Sequence, residues 1–274
     1  MGQVRVLLTG ERGFLGSVLQ QRLTEEGFDV ETCAGDLADV ALLREHLAGC
    51  PPVDQVIHLA GKFFGTWPEL TRANVMTTAA VLEACDEHGV RRIVHASSFA
   101  VYGAPGGQAS TEAASLAPTT LYGLTKAQAE SCVDFFVRNR GWSACVLRLP
   151  SLFGPSAQKG VVHDMLQAAR AQRRIVIHGD GNQFRQFVHV DDAAQAVLLA
   201  VRSQATGPFN VTSPLELTVN QVAAAVRAVV GEDVRTEHVP ATNGQPGVRM
   251  DGSRARDELG YVSTRTTLDL EAFR

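Results

Sequence analysis

Short apolar runs alternate with amphipathic stretches along the first half of the chain. Residues 4–9 are mostly apolar, which is typical of a strand buried on both faces of a parallel sheet. Residues 16–26 carry apolar side chains at helical spacing, and Gly27 ends that helix. The alternation continues and predicts strands at 29–33, 54–59, 92–97 and 143–149 and helices that begin after Asp39 and cover 74–88 and 120–140. This order predicts an α/β fold, a Rossmann-type doubly wound sheet of five or six parallel strands.

Beyond Pro150 the chain is interrupted more often by glycine and proline, and the predicted segments become shorter. This change predicts a dinucleotide-binding domain at 1–150 and a smaller C-terminal substrate-binding subdomain at 151–186 and 204–274. Residues 187–203 are an exception, because their pattern predicts a strand and then a helix capped by Asp191 or Asp192. We expect this segment to return to the main sheet.

The composition is that of an ordinary globular protein, with 45% hydrophobic and 20% charged residues, and excludes a disordered or fibrous chain. The formal net charge of −4 and the absence of a basic run argue against nucleic acid as a partner. No stretch reaches the roughly 18 consecutive apolar residues of a membrane span. The short apolar start lacks the pattern of a signal peptide, so we expect a cytoplasmic protein.

Cysteine and histidine positions bear on disulfides and metals. The five cysteines are dispersed without C-x-x-C spacing, which predicts reduced thiols rather than a disulfide framework. The eight histidines form no H-x-x-x-H motif and no Cys/His cluster with the spacing of metal ligands. The sequence therefore predicts no metal site.

A glycine-rich segment with the spacing Gly10-x-x-Gly13-x-x-Gly16 lies between the first predicted strand and helix. At such a place the backbone N–H groups of a helix N-terminus can bind the pyrophosphate of a dinucleotide. A side chain at Gly13 would obstruct the phosphates, and one at Gly16 would push the helix off the strand. We expect the loop, with Phe14 and Leu15, to bind a dinucleotide; the alternative is a tight turn without a ligand.

The choice between NAD and NADP depends on the end of the second strand. An acidic residue there favours NAD, whereas a nearby arginine accepts the 2′-phosphate of NADP. The acidic position falls near Ala34, and Arg12 lies in the glycine loop. The sequence slightly favours NADP, although Arg12 is equally consistent with a solvated loop residue.

Tyr122 and Lys126 lie four residues apart on a predicted helix and therefore on one face. A neighbouring cation stabilises a phenolate and lowers the pKa of the tyrosine, which suits it for acid/base chemistry. Ser98 follows a buried strand, so its hydroxyl is expected at the carboxyl edge of the sheet, where ligands bind in open α/β folds. We expect Ser98, Tyr122 and Lys126 to form a catalytic group in which Lys126 also contacts the cofactor.

Together the glycine loop, Ser98 and the Tyr122/Lys126 pair resemble the extended short-chain dehydrogenase/reductase family, of the NAD-dependent epimerase/dehydratase type, over nearly the whole chain. The G-x-x-G-x-x-G spacing is the form found in that superfamily. The resemblance implies further cofactor contacts at Asp36, Leu37, Leu59, Ala60, Gly61, Asn74 and Pro150. It also implies a nucleotide-linked sugar as substrate and a homodimer built from the helices at 74–88 and 120–140, although their apolar positions also suit packing on the sheet.

Substrate contacts follow from the same resemblance. The segment that contains Ser151 is similar to the one that opens the substrate pocket, and residues 179–192 resemble the family's nucleotide-sugar loop. Arg185 would then bind a substrate pyrophosphate with its bidentate guanidinium, assisted by Arg249. Both arginines are also consistent with ordinary surface residues.

Two positions depart from the patterns of relatives. Sugar 4,6-dehydratases have an Asp-Glu pair just after the catalytic serine or threonine, where this chain has Phe99 and Ala100. Ala100 also replaces the cysteine of the epimerase-reductase that makes GDP-fucose. A 4-epimerase or a ketoreductase remains, with a non-catalytic NAD(P)-binding sensor of the same fold as the alternative.

Overall fold

The computed structural model describes residues 3–104, 108–240 and 247–273. The outermost residues of the predicted domain ranges, 1–2 and 274, lie outside them. The strands are β1 (Arg5–Thr9), β2 (Asp29–Thr32), β3 (Gln55–His58), β4 (Arg92–Ser98), β5 (Ser143–Leu149), β6 (Ser151–Phe153), β7 (Arg174–His178), β8 (Phe184–His189), β9 (Gly207–Asn210), β10 (Glu216–Thr218) and β11 (Arg235–Val239). The α-helices are α1 (Phe14–Glu25), α2 (Val40–Gly49), α3 (Trp67–Leu70), α4 (Thr77–Glu87), α5 (Leu121–Arg140), α6 (Val161–Gln172), α7 (Val190–Arg202), α8 (Val219–Val230) and α9 (Ser253–Leu259).

The main sheet has six parallel strands in the order β2-β1-β3-β4-β5-β9. Its central strands are almost entirely buried because helices cover both faces. On one face α1 and α7 bury an apolar cluster that includes Leu19 and Val197. On the other face α2, α4 and α5 bury a second cluster that includes Leu43 and Val81. The predicted Rossmann-type α/β fold is confirmed.

A smaller unit covers part of the carboxyl edge of this sheet. It contains the three-stranded sheet β10-β8-β6 and the parallel pair β11-β7. α6 and α8 pack on these strands around an apolar core that includes Phe153, Leu166 and Val226. Because β6 follows β5 after one residue, Pro150, the chain passes directly from the main sheet into this unit.

The sixth strand of the main sheet comes from a different place than the sequence indicated. We expected the strand within 187–203 to return to the main sheet, but β8 pairs with β6 and β10, and only the helix that follows, α7, packs on the main sheet. The sixth strand is instead β9, which pairs with β5. β9 begins with Gly207 and Pro208, a pair that is typical of a turn, so the sequence did not indicate a strand there.

Two predicted helix starts are also corrected. The helix expected from residue 74 begins at Trp67, capped by a reciprocal Thr66–Glu69 capping box, and passes through a π-helical turn at Thr71–Met76 before α4. The N-cap of α7 is His189 rather than Asp191 or Asp192, because its ring nitrogen accepts a hydrogen bond from the Asp191 N–H. Asp39, in contrast, caps α2 as predicted. No helix in the described residues is long and apolar enough to cross a membrane.

Candidate active site

The glycine loop forms the turn between β1 and α1 at the carboxyl edge of the main sheet. A Cβ at Gly16 would lie 2.0 Å from Gly10 O, and one at Gly10, whose φ is +81°, would lie 2.6 Å from Ala60 N. Both contacts are with backbone, so close packing of β1, α1 and the end of β3 requires glycine at these positions. A Cβ at Gly13 would meet only Gly10 O within 4 Å, at 3.1 Å. The outer side of the loop is therefore open to a group that approaches the N-terminus of α1, which begins at Phe14.

The segment after β3 lies beside the glycine loop and is fixed by Asn74. A Cβ at Gly61 would lie 2.9 Å from Asn74 Oδ1, so the amide lies directly beneath this exposed glycine. Asn74 Oδ1 accepts from Lys62 N–H at 2.7 Å, and Asn74 Nδ2 donates to Thr125 Oγ1 at 2.9 Å. Asn74 therefore joins the loop that contains Leu59, Ala60 and Gly61 to α5, and its side chain is engaged in structural hydrogen bonds.

The residues expected near an adenosine lie at the start of α2 and in the glycine loop. Asp36 is exposed and forms an ion pair with Arg72, and Leu37 packs partly on the core beneath α2. The Arg12 side chain is 85% exposed, and its Nε lies 3.3 Å from Glu11 Oε1. A carboxylate beside Arg12 offsets much of the positive charge that a 2′-phosphate would need.

The structure brings Ser98, Tyr122 and Lys126 together. Ser98 ends β4 and Tyr122 lies in the first turn of α5, and the Ser98 side chain lies close enough to the Tyr122 hydroxyl to lower the pKa of that phenol. Lys126 is buried one turn further along α5, with its Nζ 4.0 Å from the position of a Cβ on Gly61. The ring of Phe63 meets that of Tyr122 edge to face, with centroids 4.5 Å apart. A phenol, a hydroxyl and an ammonium thus lie together at the carboxyl edge of the main sheet, beside the segment after β3.

Burial dominates the electrostatics of this group. Burial raises the pKa of Tyr122, and the neighbouring Ser98 side chain offsets that rise only in part. The expected lowering of the Tyr122 pKa by Lys126 is therefore absent in the chain alone, because desolvation of the phenol outweighs the favourable contacts. Burial also lowers the pKa of Lys126 to about 8, against the attraction of Glu130. Lys126 forms no hydrogen bond or ion pair with any described residue.

We expect Lys126→Met to stabilise the protein at pH 7 although it removes a site residue. The Lys126 pKa of about 8 lies below the ordinary value of 10.5, so between these values the folded protein binds fewer protons than the unfolded chain. The free energy of unfolding then rises with pH across this window, and below it the buried charge costs the folded state on the order of 3 kcal/mol. Methionine keeps the apolar stem, so its gain in melting temperature should be largest near pH 7 and decline toward pH 10. The control is Lys62→Met, at an exposed lysine, and a gain for Lys126→Met that does not vary with pH contradicts the prediction.

A narrow crevice lies beside Ser98, where the residue after β4 meets the start of β6 and β8. Its walls are formed by Phe99, Pro150, Ser151, Arg185, Gln186 and Val248. Pro150 and Ser151 occupy it because the chain turns there from the main sheet into the smaller unit. The predicted substrate residues Ser151 and Arg185 therefore share one pocket with Phe99, which directly follows Ser98.

The two predicted phosphate-binding arginines differ in their surroundings. Arg185 is half-buried, and within the described residues its only hydrogen bond goes to Phe184 O at 3.5 Å and it forms no ion pair. Burial without a counter-ion lowers its pKa and leaves its donors available for an anion. Arg249 instead donates to both oxygens of Glu216 at 2.7–3.0 Å and lies over the Phe184 ring. The guanidinium of Arg249 is thus already held by protein groups.

Sequence reasoning missed two features of this site. Phe63 lies in an irregular loop, where no periodicity indicated its contact with Tyr122. Arg148 and Glu130 form a buried ion pair at 2.7 Å, and Ser97, next to Ser98, bonds the same carboxylate. An arginine inside the apolar strand at 143–149 was a signal for a buried pair, but the partner on α5 was not identifiable.

Comparisons with known proteins agree with this arrangement. Residues 6–212 match the model of the NAD dependent epimerase/dehydratase family. A UDP-glucose 4-epimerase from Corynebacterium glutamicum is 28% identical, with 97% of this chain and 92% of that protein covered. The solved structure of MoeE5 in complex with UDP-glucuronic acid and NAD is 28% identical, with a TM-score of 0.85 over 96% of this chain and 94% of that one.

A further solved structure supports the fold alone. The UDP-glucose 4-epimerase of Thermotoga maritima with UDP-glucose has a TM-score of 0.89 at 24% identity and covers 98% of this chain and 96% of its own. The family match spans well over half of the chain and includes the glycine loop, Ser98, Tyr122 and Lys126. The chain therefore belongs to the NAD-dependent epimerase/dehydratase family of enzymes, within the extended short-chain dehydrogenases/reductases.

Proposed function

We propose that this protein transfers a hydride on a nucleotide-linked sugar, as an NAD-dependent 4-epimerase or ketoreductase. The observation that carries the proposal is the meeting of Ser98, Tyr122 and the buried Lys126, with Lys126 beside Gly61 and with Phe99, next to Ser98, lining a crevice that also contains Arg185. The similar proteins include UDP-glucose 4-epimerases and MoeE5, which has been solved with UDP-glucuronic acid and NAD.

The residues around the cleft fit a dinucleotide. The outer side of Gly13 is open, Gly61 is exposed, and the Lys126 ammonium lacks a protein partner beside it. The loop N–H groups would hold the pyrophosphate, Lys126 would hold a ribose, and Leu59, Ala60 and Pro150 would line the nicotinamide side. When bound, NAD supplies the acceptor and donor of hydride.

In this proposal Tyr122 exchanges a proton with the sugar hydroxyl or keto oxygen, and Ser98 orients that oxygen. Ser98 Oγ already accepts a hydrogen bond from Ala100 N–H at 3.2 Å, so its own proton remains available to Tyr122 or to substrate. Burial keeps the Tyr122 phenol protonated, which suits proton donation to a keto oxygen in the reductive direction.

Dehydration is disfavoured by the groups that follow Ser98. Phe99 and Ala100 are buried, and Phe99 lines the substrate pocket where a dehydratase would need its acid/base pair. Neither side chain can accept or donate a proton, so the chain lacks the second acid/base group that eliminating water requires. Epimerisation and simple reduction need none beyond Tyr122.

We propose NAD rather than NADP as the cofactor. The Glu11 carboxylate beside Arg12 opposes binding of a 2′-phosphate, and the similar MoeE5 structures contain NAD. The slight preference for NADP in the sequence analysis rested on Arg12 alone and stays an untested prediction. Thermal shift with NAD and NADP at equal concentrations tests the choice of NAD, because the ligand that binds the folded state more tightly raises the melting temperature more.

Arg185 is the residue we assign to the diphosphate of the substrate. We expect Arg185→Leu to weaken binding of a UDP-sugar by about 10–100-fold, the scale of one or two charge-assisted hydrogen bonds, and to leave NAD affinity unchanged. Isothermal titration with UDP-glucose and UDP-glucuronic acid measures the sugar affinity, and titration with NAD measures the cofactor affinity. The matched control is Arg249→Leu, at the arginine already held by Glu216, which should weaken binding much less. Equal losses for the two variants would contradict the assignment.

Epimerase, reductase and sensor differ in the fate of the cofactor. An epimerase interconverts two sugars without net change in nicotinamide absorbance and retains bound NAD on purification. A reductase consumes added reduced cofactor in step with product. A sensor binds NAD but neither interconverts sugars nor consumes reduced cofactor, and that result would overturn this proposal.

We further propose a homodimer through α4 and α5. The predicted positions Val81, Cys132, Phe136 and Val137 pack inward, but Phe135 is 54% exposed on α5. Light scattering of the wild type and of Phe135→Glu tests this, because a charge at a buried apolar interface should shift the protein toward monomer. A cytoplasmic location remains a prediction.

A further inference from the structure

Three side chains of metal-binding type converge outside the cofactor cleft. They are Glu31 on β2, His46 in the last turn of α2, and Cys50 at the end of α2. One ligand atom from each lies within 4.8 Å of the other two. All three are partly buried between the edge strand of the main sheet and the helix that covers it.

Local geometry explains the convergence. His46 and Cys50 are four residues apart at the end of one helix, so they lie on the same side. Glu31 is paired in register with Leu7, and Leu7 packs in the same cluster as Leu47 of α2. Since residues opposite each other in a sheet point to the same face, Glu31 points toward α2. The His46-x-x-x-Cys50 spacing is visible in the sequence, but the arrival of Glu31 from β2 is visible only in the fold.

The three groups do not satisfy one another through hydrogen bonds. His46 Nε2 lies 3.0 Å from Glu31 Oε1, yet this buried nitrogen has no hydrogen bond of acceptable geometry. Cys50 Sγ has one weak contact, with Leu47 O at 3.5 Å. The three donor atoms therefore lie close together without forming hydrogen bonds of good geometry to one another.

Charge at the cluster is also compatible with a cation. Glu31 supplies a carboxylate, which is negative at neutral pH and attracts a cation. Arg5 is the nearby cation, but Asp29 accepts its Nε–H at 2.7 Å and offsets its charge. A divalent ion would bind the thiolate and release the thiol proton to solvent.

We propose that Glu31, His46 and Cys50 bind a zinc ion. One thiolate, one imidazole and one carboxylate form the donor set that Zn²⁺ accepts in tetrahedral sites, with a water molecule in the fourth position. The ion would join the end of α2 to the edge strand β2 and would stabilise the fold rather than take part in hydride transfer.

Zinc titration of the full chain against a chromophoric chelator tests the proposal. We expect one zinc ion per chain, and at least about 100-fold weaker binding for Cys50→Ser and for His46→Gln, since even changes behind the ligands cost 10–100-fold. The controls are Cys132→Ser and His88→Gln, which replace a half-buried cysteine and a histidine outside the cluster and should bind zinc as the wild type does.

Cobalt gives a readout specific to the thiolate. Wild-type protein loaded with Co²⁺ should show sulfur-to-metal charge-transfer absorption and the intense visible bands of a tetrahedral ion, and Cys50→Ser should lose the former while Cys132→Ser keeps it. Zinc should raise the melting temperature of the wild type and not that of Cys50→Ser, whereas NAD should shift both equally. Absence of zinc binding, or equal zinc affinity in wild type, Cys50→Ser and His46→Gln, overturns the proposal and leaves a simple Glu31–His46 ion pair.

Discussion

Replacing Tyr122 by phenylalanine should lower kcat by about 10²–10⁴-fold, the usual contribution of a positioned acid/base group. The change removes one hydroxyl and keeps the ring that meets Phe63 edge to face, so stability and NAD affinity should stay close to those of the wild type. The loss is expected in kcat more than in KM, because the proton moves in the transition state. The assay uses the UDP-sugar that produces the largest thermal shift.

The control for this variant is Tyr261→Phe. Tyr261 is buried in the core beside α7, outside the cleft, so removal of its hydroxyl should leave kcat unchanged. A Tyr122→Phe variant with wild-type kcat would remove Tyr122 from its proposed role and would require another acid/base group for the proton transfer.

The glycine loop was predictable because its requirements are local. Strand, turn and helix follow one another within a few residues, and close backbone contacts at Gly10 and Gly16 admit no other residue type. The Tyr122/Lys126 spacing was readable for the same reason, since helical geometry alone puts both on one face. Ser98 could be placed near them because it ends a parallel strand, and the carboxyl ends of such strands lie at the edge of the sheet where ligands bind.

Features set by distant contacts were not predictable. The sequence predicted that Arg249 would assist Arg185, and only the arrival of Glu216 on β10 shows that Arg249 is held by a carboxylate. The Tyr122 pKa depends on how deeply the phenol is buried, so the lowering expected from Lys126 was not a safe inference. The zinc-binding cluster has the same origin, because Glu31 meets His46 and Cys50 only in the folded chain.

The Arg148–Glu130 pair links stability to the active site. Arg148 is 5% and Glu130 10% exposed, and their side chains meet through two hydrogen bonds, at 2.7 and 3.1 Å. Arg148 also donates to the Tyr102 hydroxyl, and Ser97 bonds Glu130. Glu130 on α5 thus holds the end of β5 through Arg148 and the end of β4, which carries Ser98, through Ser97.

We expect Glu130→Leu to destabilise the protein by about 3–5 kcal/mol, because it leaves the Arg148 charge buried without its carboxylate. The double variant Glu130→Leu/Arg148→Met should be more stable than this single variant, since it removes both charges and keeps the volume apolar. Urea unfolding of the three proteins measures the difference in free energy. The control is Asp134→Asn, which breaks an exposed pair with Arg138 on the same helix and should cost less than about 1 kcal/mol.

The same variant has a second consequence, at Lys126. Glu130 raises the Lys126 pKa against burial, so its loss should move that pKa further below about 8 and shift the alkaline limb of NAD binding to lower pH. A purely structural role for Glu130 predicts weaker folding with an unmoved pH profile. An unfolding free energy that changes without a shift of the pH profile would therefore confine the pair to stability, whereas both changes together connect it to the Lys126 ammonium.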